Sequence, residues 1–151
     1  MPVAWLANYS FEAGPETWRP VNVGNAVTMN VVRDGTARSG SAFLRASSTQ
    51  GAGSVAADFR LAGSRLASIG AIAWVRAKPG SPNVSGQLSI WQLSATRSPK
   101  SSDLVFTVGN EWKLLANSYD LVQDTGRFDF RVEFYFSSVN VDLDVDCVMV
   151  V

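Results

Sequence analysis

Hydrophobic and polar positions alternate most regularly in the last quarter of the chain. In residues 127–136 every second residue is apolar, and the residues between them carry a charge or a phenol. This period of two predicts a strand with one face in a core and the other face open. Residues 139–151 begin with the same alternation and end in an uninterrupted apolar run, so they predict a second strand that becomes buried on both faces. Only Ser137 and Ser138 separate the two runs, which predicts a hairpin turn and antiparallel pairing.

Shorter alternating runs recur through the rest of the chain. Candidate strands lie in residues 3–6, 26–32, 42–46, 54–61, 71–77, 86–93, 103–108 and 111–119. Residues 66–69 form the one candidate helical turn, and the polar link 94–102 is a candidate partner-facing loop. Strands at a spacing of about 8–12 residues are typical of a β-sandwich. The 151 residues therefore predict one all-β domain, an antiparallel β-sandwich.

The amino-acid composition argues against several classes of function. Thirteen basic and thirteen acidic side chains cancel, which argues against a nucleic-acid or membrane-surface binder, because both need a basic field. The chain has no histidine, so it lacks the usual general base and the commonest zinc ligand. The single cysteine, Cys147, excludes an internal disulfide and is expected to be a small core residue. The start at Met1 has no secretory signal pattern, which favours a virion component or a domain cut from a secreted protein.

Five short motifs occur in a characteristic order. They are Leu6-x-Asn8-x-Ser10-Phe11-Glu12-x-Gly14 followed by Trp18, Ala37-x-Ser39-Gly40, Trp74-Val75-Arg76-Ala77, Glu111-Trp112-Lys113-Leu114 with Tyr119 and Leu121, and a final strand containing Asp146. Together they resemble the jelly-roll carbohydrate-binding modules of families 4, 9 and 22, the galactose-binding-like β-sandwiches. The resemblance covers nearly the whole chain and implies a jelly-roll order of the strands.

The resemblance implies a structural calcium ion that ties the N-terminal loop to the last strand. Its ligands would be the carboxylates of Glu12 and Asp146 and a backbone carbonyl such as that of Arg38. The chain departs from the family at Cys147, where members often carry a second acidic residue. The alternative is that both carboxylates accept backbone N–H bonds and arginine contacts without a metal.

The resemblance also implies a glycan-binding face on one sheet. Period two places outward a set of aromatic and polar side chains: Trp74, Arg76, Gln87, Trp91, Arg131, Glu133 and Tyr135. If the three strands are neighbours, these residues form one face on which rings stack against sugars and polar groups bind hydroxyls. The alternative is that the tryptophans pack under a loop or against another subunit.

These observations leave a non-catalytic binding or structural module as the predicted function. No carboxylate pair, nucleophile–base pair or cofactor loop supports an enzyme. The leading hypothesis is a virion-associated decoration, head-fibre or tail protein whose partners are capsid or other virion proteins, sister copies, or host-surface glycans. The alternative is a carbohydrate-binding module of a secreted glycoside hydrolase that binds a polysaccharide.

Overall fold

The computed structural model describes residues 10–60, 68–93, 100–121 and 129–151, and ten strands lie in these ranges. The strands are β1 (Arg19–Pro20), β2 (Val27–Val32), β3 (Phe43–Ser48), β4 (Ser54–Arg60), β5 (Ser68–Ala77), β6 (Val84–Gln92), β7 (Lys100–Val108), β8 (Lys113–Asp120), β9 (Asp129–Phe136) and β10 (Val141–Val150). A 3₁₀ turn at Gly24–Ala26 precedes β2. Within the described ranges no helix is long and apolar enough to cross a membrane.

The strands form two five-stranded antiparallel sheets. Sheet A has the order β1-β4-β9-β6-β7, and sheet B has the order β2-β3-β10-β5-β8. Apart from the consecutive pairs β2–β3 and β6–β7, neighbouring strands in each sheet are distant in sequence, because the chain crosses repeatedly between the sheets. The all-β antiparallel jelly-roll sandwich predicted from the sequence is confirmed.

The core lies between the inner faces of the sheets and contains the predicted phenylalanine stripe. Phe130, Phe134 and Phe136 of β9 are at most 1% exposed. Burying a side chain of this size contributes roughly 1.5–3 kcal/mol. Trp18 packs against Phe134 at 5.9 Å between ring centroids and carries the N-terminal segment onto the core.

The predicted hairpin between the last two strands is wrong. β9 pairs with β4 and β6 in sheet A, whereas β10 pairs with β3 and β5 in sheet B. The link crosses between the sheets and is held by β6, since the N–H groups of Ser137 and Ser138 both donate to the Ser85 carbonyl. A short polar link suits a hairpin and a sheet crossing equally well, so its length did not identify the connection.

The core position predicted for Cys147 is also wrong. Cys147 has a φ of 52° and lies at an irregularity in the register of β10, where it is partly exposed. The extra residue reverses the inward phase, so that Val148 and Val150 have no exposure and continue the core after Val145. The apolar run at the end of β10 is therefore explained by a bulge that changes which side chains face inward. It is not a regular strand buried on both faces.

Other sequence predictions fall partly outside the described residues. The candidate strand 3–6, the link 94–99 and the first half of the predicted helical turn lie there. Ser68 and Ile69, the second half of that turn, instead begin β5. Residues 100–102, predicted as loop, belong to β7.

Candidate functional site

Five of the seven predicted face residues lie on the outer face of sheet A. β6 and β9 are neighbours, and their register pairs Gln87 with Tyr135, Ser89 with Glu133, and Trp91 with Arg131. The period of two therefore brings these side chains together on one surface. This part of the predicted face is present as an assembly of adjacent side chains.

Trp74 and Arg76 do not belong to this face. They lie on β5 in sheet B, on the opposite side of the sandwich, because β5 pairs with β10 and β8 and not with β6 or β9. The single three-strand face is thus wrong for these two residues. Periodicity fixed their outward direction, but it carried no information about which sheet β5 joins.

A loop of the protein covers both side chains. The Arg76 guanidinium donates to Thr36 Oγ1 at 2.7 Å and lies 4.4 Å from the Trp112 ring centroid. The Arg38 guanidinium lies 4.1 Å from the Trp74 ring centroid. The segment before β3 is therefore packed onto the outer face of sheet B, which matches the loop-packing alternative for Trp74.

The outer face of sheet A contains a cavity of about 260 Å³, here called the face pocket. Four predicted residues line it, together with Val21, Asn22 and Leu93: these four are Trp91, Arg131, Glu133 and Tyr135. Gln87 lies in the same cross-strand row as Tyr135 but is not part of the lining. The pocket combines two aromatic rings with a cation and a carboxylate.

Arg131 is held in place by an ion pair across the sheet. Its Nε and Nη2 atoms donate to the Asp58 carboxylate of β4 at 2.7 Å and 3.2 Å. Arg19 of β1 donates to the same carboxylate at 2.8 Å. Burial tends to raise the pKa of Asp58, but the hydrogen bonds from Arg131 and Arg19 outweigh it, so the pKa lies below its usual value. Asp58 therefore occupies the Nε/Nη2 fork of Arg131 and holds the guanidinium in one orientation beside the pocket.

Glu133 is a buried carboxylate at the base of the pocket and is 1% exposed. One oxygen accepts from Ser54 Oγ at 2.5 Å, and the other accepts from the Tyr135 hydroxyl at 2.8 Å. Burial, followed by the hydrogen bond to Glu133, raises the pKa of Tyr135. Tyr135 is therefore a neutral phenol near pH 7, and its ring is fixed by the bond that its hydroxyl donates.

The indole N–H of Trp91 is enclosed beside the Tyr135 hydroxyl. Its Nε1 atom is buried and has no hydrogen bond of good geometry with the described residues. The indole is close enough to the Tyr135 hydroxyl to oppose part of the rise in the pKa of Tyr135. Because the Nε1 atom is closed to solvent, a ligand on this face would meet the partly exposed ring of Trp91 and not its N–H.

Solved structures share this fold. The CBM22-1 xylan-binding domain of Xyn10C from Paenibacillus barcinonensis superposes with a TM-score of 0.74 at 14% identity and covers 99% of this chain and 94% of that chain. TmCBM61, solved with β-1,4-galactotriose, gives 0.63 at 17% identity over 99% and 98% of the two chains. The enzymatically active domain of tailspike protein 4 of bacteriophage CBA120 gives 0.75 at 15% identity over 98% and 21%.

The chain has the fold of a carbohydrate-binding module. No family model and no curated protein matches its sequence. At 14–17% identity the structural likeness establishes the fold alone.

The residues predicted to bind calcium in this module hold a turn through hydrogen bonds. The Glu12 carboxylate accepts from the Ser41 and Ala42 N–H groups at 2.8 Å and 2.9 Å. The Asp146 carboxylate accepts from the Ser39 N–H at 2.9 Å and from the Cys147 N–H at 2.7 Å. Both carboxylates thus clamp the same turn between the N-terminal segment and β10.

The two carboxylates differ in their surroundings. The hydrogen bonds from Ser41 and Ala42 lower the pKa of Glu12, whereas burial raises the pKa of Asp146. Burial also raises the pKa of the Cys147 thiol to about 11, so the thiol is protonated near pH 7. The Arg38 guanidinium lies over the Trp74 ring.

Backbone N–H groups occupy these two carboxylates in the structure, and the calcium site stays a prediction. Calcium takes six to eight oxygen ligands, but backbone N–H groups already point at the Glu12 and Asp146 oxygens. Among the described residues no group of three His, Cys, Asp or Glu side chains is placed to hold a metal ion. The geometry is that of the alternative stated from the sequence, in which the carboxylates accept backbone N–H bonds.

Several residues that line the face pocket or orient its side chains were not predicted from the sequence. Asp58 and Ser54 come from β4, which lies beside β9 and not beside its neighbours in sequence. The inward phase of Val55 and Ala57 already placed Asp58 outward, so that signal was available. The position of Asn22 had no such signal, because its backbone N–H reaches Ser54 Oγ from an irregular segment.

Proposed function

We propose that this protein binds a polysaccharide in the face pocket and does not cleave it. The observation that carries the proposal is the pocket itself, in which the rings of Trp91 and Tyr135 adjoin the polar groups of Arg131 and Glu133. Sugar rings have apolar faces that stack on aromatic side chains, and their hydroxyls need donors and acceptors at fixed positions. The pocket offers both kinds of contact.

Fixed geometry in the unbound protein supports the proposal. Arg131 is oriented by Asp58, and Glu133 is oriented by Ser54 and Tyr135. A site whose side chains are already ordered loses little conformational entropy on binding. The same bonds support binding without catalysis, because Asp58 is committed to two arginines and Glu133 to two hydroxyls.

The solved relatives give a second line of support. The Paenibacillus domain is described as xylan-binding, and TmCBM61 was solved with β-1,4-galactotriose. Both ligands are chains of sugars. We therefore take soluble xylan and galactan as the first polysaccharides to test with this protein.

The test is retention in native affinity gels that contain xylan, galactan, mannan or β-glucan. We expect at least one polysaccharide to retard the wild type, and we expect Trp91→Ala to abolish the retardation. The control is Leu114→Ala, which removes a 48% exposed side chain from sheet B. Mobility of Trp91→Ala equal to wild type would contradict the assignment of the site, and release of reducing ends would contradict the non-catalytic role.

A second setting for the same module is a phage particle. The match to the tailspike of bacteriophage CBA120 covers 98% of this chain but only 21% of that chain, so in that protein the fold is one part of a longer chain. We propose an extracellular location, either on a virion, with capsid or other virion proteins or sister copies as partners, or within a secreted enzyme. Co-sedimentation with particles or a defined oligomer on sizing supports the virion setting. A strict monomer that never sediments with particles counts against it.

A further inference from the structure

β7 is an edge strand of sheet A, and it is long and regular. It pairs with β6 through nine consecutive residue pairs, from Lys100 with Gln92 to Val108 with Val84, without a bulge. Among the strands that the structure describes, it is the last of its sheet. Such an edge presents a row of backbone N–H and C=O groups that can pair with a further strand.

The hydrogen bonds of sheet A show which backbone groups of β7 are directed outward. In an antiparallel sheet each residue directs its N–H and C=O to one neighbouring strand, and the side alternates along the strand. At the two ends of β6, Leu93 donates to the Asp129 carbonyl of β9, and the Ser85 carbonyl accepts from the residues that follow β9. Even-numbered residues of β6, such as Leu88, therefore face even-numbered residues of β7, such as Leu104. Four residues of β7 direct their backbone groups away from the sheet: Ser101, Asp103, Val105 and Thr107.

This side of β7 is uncovered. Among the described residues, no backbone hydrogen bond reaches the N–H and C=O groups of these four residues. All four residues are exposed, and the Val105 side chain, at 70%, is the most exposed large hydrophobic side chain described. Leu104 points inward but is only partly buried. The edge thus combines free hydrogen-bonding groups with uncovered apolar side chains.

The neighbouring edge strand, β8 of sheet B, is better protected against strand addition. It contacts β7 through Asn117, whose amide donates to the Ser102 carbonyl. β8 has a charged residue at each end, and its Ser118 N–H is taken up by Asn117 Oδ1. In β7 the Asp103 carboxylate accepts from Ser89 Oγ at 2.6 Å and is turned back toward β6. Charged edges resist pairing, so the free side of β7 is the less protected of the two.

A second copy of β7 fits this edge in antiparallel register. A two-fold axis at Val105 places Val105 of the two copies opposite each other and Asp103 of each copy opposite Thr107 of the other. Leu104 then lies opposite Phe106 on the inner side. An axis at Asp103 would oppose two carboxylates, and an axis at Leu104 would set a carboxylate against Val105. Three facing pairs that each exchange two bonds give about six hydrogen bonds.

We propose that two copies of this protein associate through β7, antiparallel about Val105, so that their A sheets continue as one sheet. The inference does not rest on polysaccharide binding, and it gives the sister copy named above as a partner a defined surface. Neighbouring strands lie about 4.8 Å apart, so the two β6 strands would lie roughly 14 Å apart. The face pockets of both copies would then open on the same side of the dimer.

The test is sedimentation velocity between about 5 and 500 µM protein. We expect wild type to approach twice the mass of one chain as the concentration rises. Val105→Lys should weaken the dimer at least about tenfold, because it places two ammonium groups opposite each other. Val139→Lys, at a 55% exposed valine in the link before β10, is the matched control and should dimerise as wild type does. Both variants should melt close to wild type, since both side chains are exposed.

A second variant keeps the test independent of the folding of Val105→Lys. Val105→Pro removes an N–H that does not bond to β6, and proline is tolerated on an edge strand where the N–H faces solvent. This variant should fold and should also fail to dimerise.

Cross-linking tests the register, in a Cys147→Ser background. Opposed Cα atoms of a hydrogen-bonded pair are about 5.5 Å apart, which a disulfide can span. Oxidation should therefore link Val105→Cys into a covalent dimer. Thr107→Cys should stay unlinked, because its counterpart in the second copy is Asp103.

The outcomes separate this inference from the proposed function. Wild type that stays monomeric at about 500 µM would overturn the inference and leave the edge to a strand of another protein, with the polysaccharide gels unaffected. A dimer that Val105→Lys and Val105→Pro both leave intact would overturn β7 as the surface. A dimer in which Thr107→Cys cross-links and Val105→Cys does not would overturn the register.

Discussion

Asp144 is a carboxylate without solvent exposure that lies between two arginines on the outer face of sheet B. It accepts from Arg45 Nε at 2.7 Å and Nη2 at 2.9 Å, and from Arg76 Nε at 2.9 Å. The side chains of Arg45 and Arg76 are only 17% and 7% exposed. The substitution Asp144→Asn removes the one charge that both guanidinium groups pair with at these distances.

The expected loss follows from these exposures. Removing one partner of a buried ion pair costs about 3–5 kcal/mol, because the remaining charge stays buried without compensation. Arg45 and Arg76 keep their contacts with the Phe43 ring, at 5.4 Å and 5.2 Å, and Arg45 can turn toward solvent. We therefore expect the lower end, about 3 kcal/mol. At about 2–4 °C per kcal/mol for a chain of this size, the melting temperature should fall by about 6–12 °C.

The assay is urea denaturation followed by tryptophan fluorescence, with thermal melting by circular dichroism as a second measurement. The matched control is Asp142→Asn, two residues earlier on the same face. Its carboxylate is 29% exposed and lies 3.9 Å from Lys78 Nζ, so its loss should cost less than about 1 kcal/mol. If Asp144→Asn unfolds within about 1 kcal/mol of wild type, the reasoning from burial is refuted.

Four further predictions concern single features of the fold. Asn117→Ala should lower the free energy of unfolding by about 1–3 kcal/mol in urea, since the Asn117 amide donates to carbonyls of β6 and β7 and joins the sheet edges; an unchanged midpoint would contradict this. The folded-state pKa of Asp58 is lowered, so its stabilisation is present above about pH 3.9 and is lost as pH falls through the folded pKa. Asp58→Asn should therefore be less stable than wild type at pH 7, and the difference should shrink as pH falls below about 3.9; a difference that stays constant down to the lowest pH measured would be inconsistent with the ion pair. EDTA should leave the melting temperature unchanged, because N–H groups occupy the clamp carboxylates; a fall of several degrees that calcium reverses would establish a bound cation. Gly86→Ala should destabilise the protein in thermal melts, because a Cβ there would overlap the Tyr135 carbonyl oxygen, whereas Ser85→Ala should melt close to wild type.

The alternation of apolar and polar residues predicted the faces of individual strands well. It placed Trp91, Arg131 and Tyr135 outward, and all three line the face pocket. It did not predict which strands share a sheet, because side-chain period carries no information on long-range pairing. For that reason Trp74 was assigned to the wrong surface and the last two strands to the wrong connection.

The predicted inward direction of the Cys147 side chain was wrong because the backbone there departs from a regular strand. Cys147 adopts a φ of 52°, and the added residue turns Val148 inward in its place. Glycine or asparagine commonly marks a positive φ in a sequence, but cysteine does not. The bulge coincides with a long-range contact, since the Asp146 carboxylate accepts from the Cys147 N–H at 2.7 Å and also from the Ser39 N–H at 2.9 Å.

The two outer faces carry the same kinds of residue, so the types of outward residue alone do not distinguish a ligand site from a structural one. On sheet B, Arg76 and Trp112 are used by the loop, through Thr36 Oγ1 and the Thr36 carbonyl. On sheet A, Trp91 and Arg131 line a cavity. The difference arises from the segment before β3, which is long enough to fold back over sheet B and is held there by the Glu12 and Asp146 carboxylates. Anchoring that segment closes one face of the sandwich, and the same strand alternation then leaves on the other face the pocket that we propose for a sugar chain.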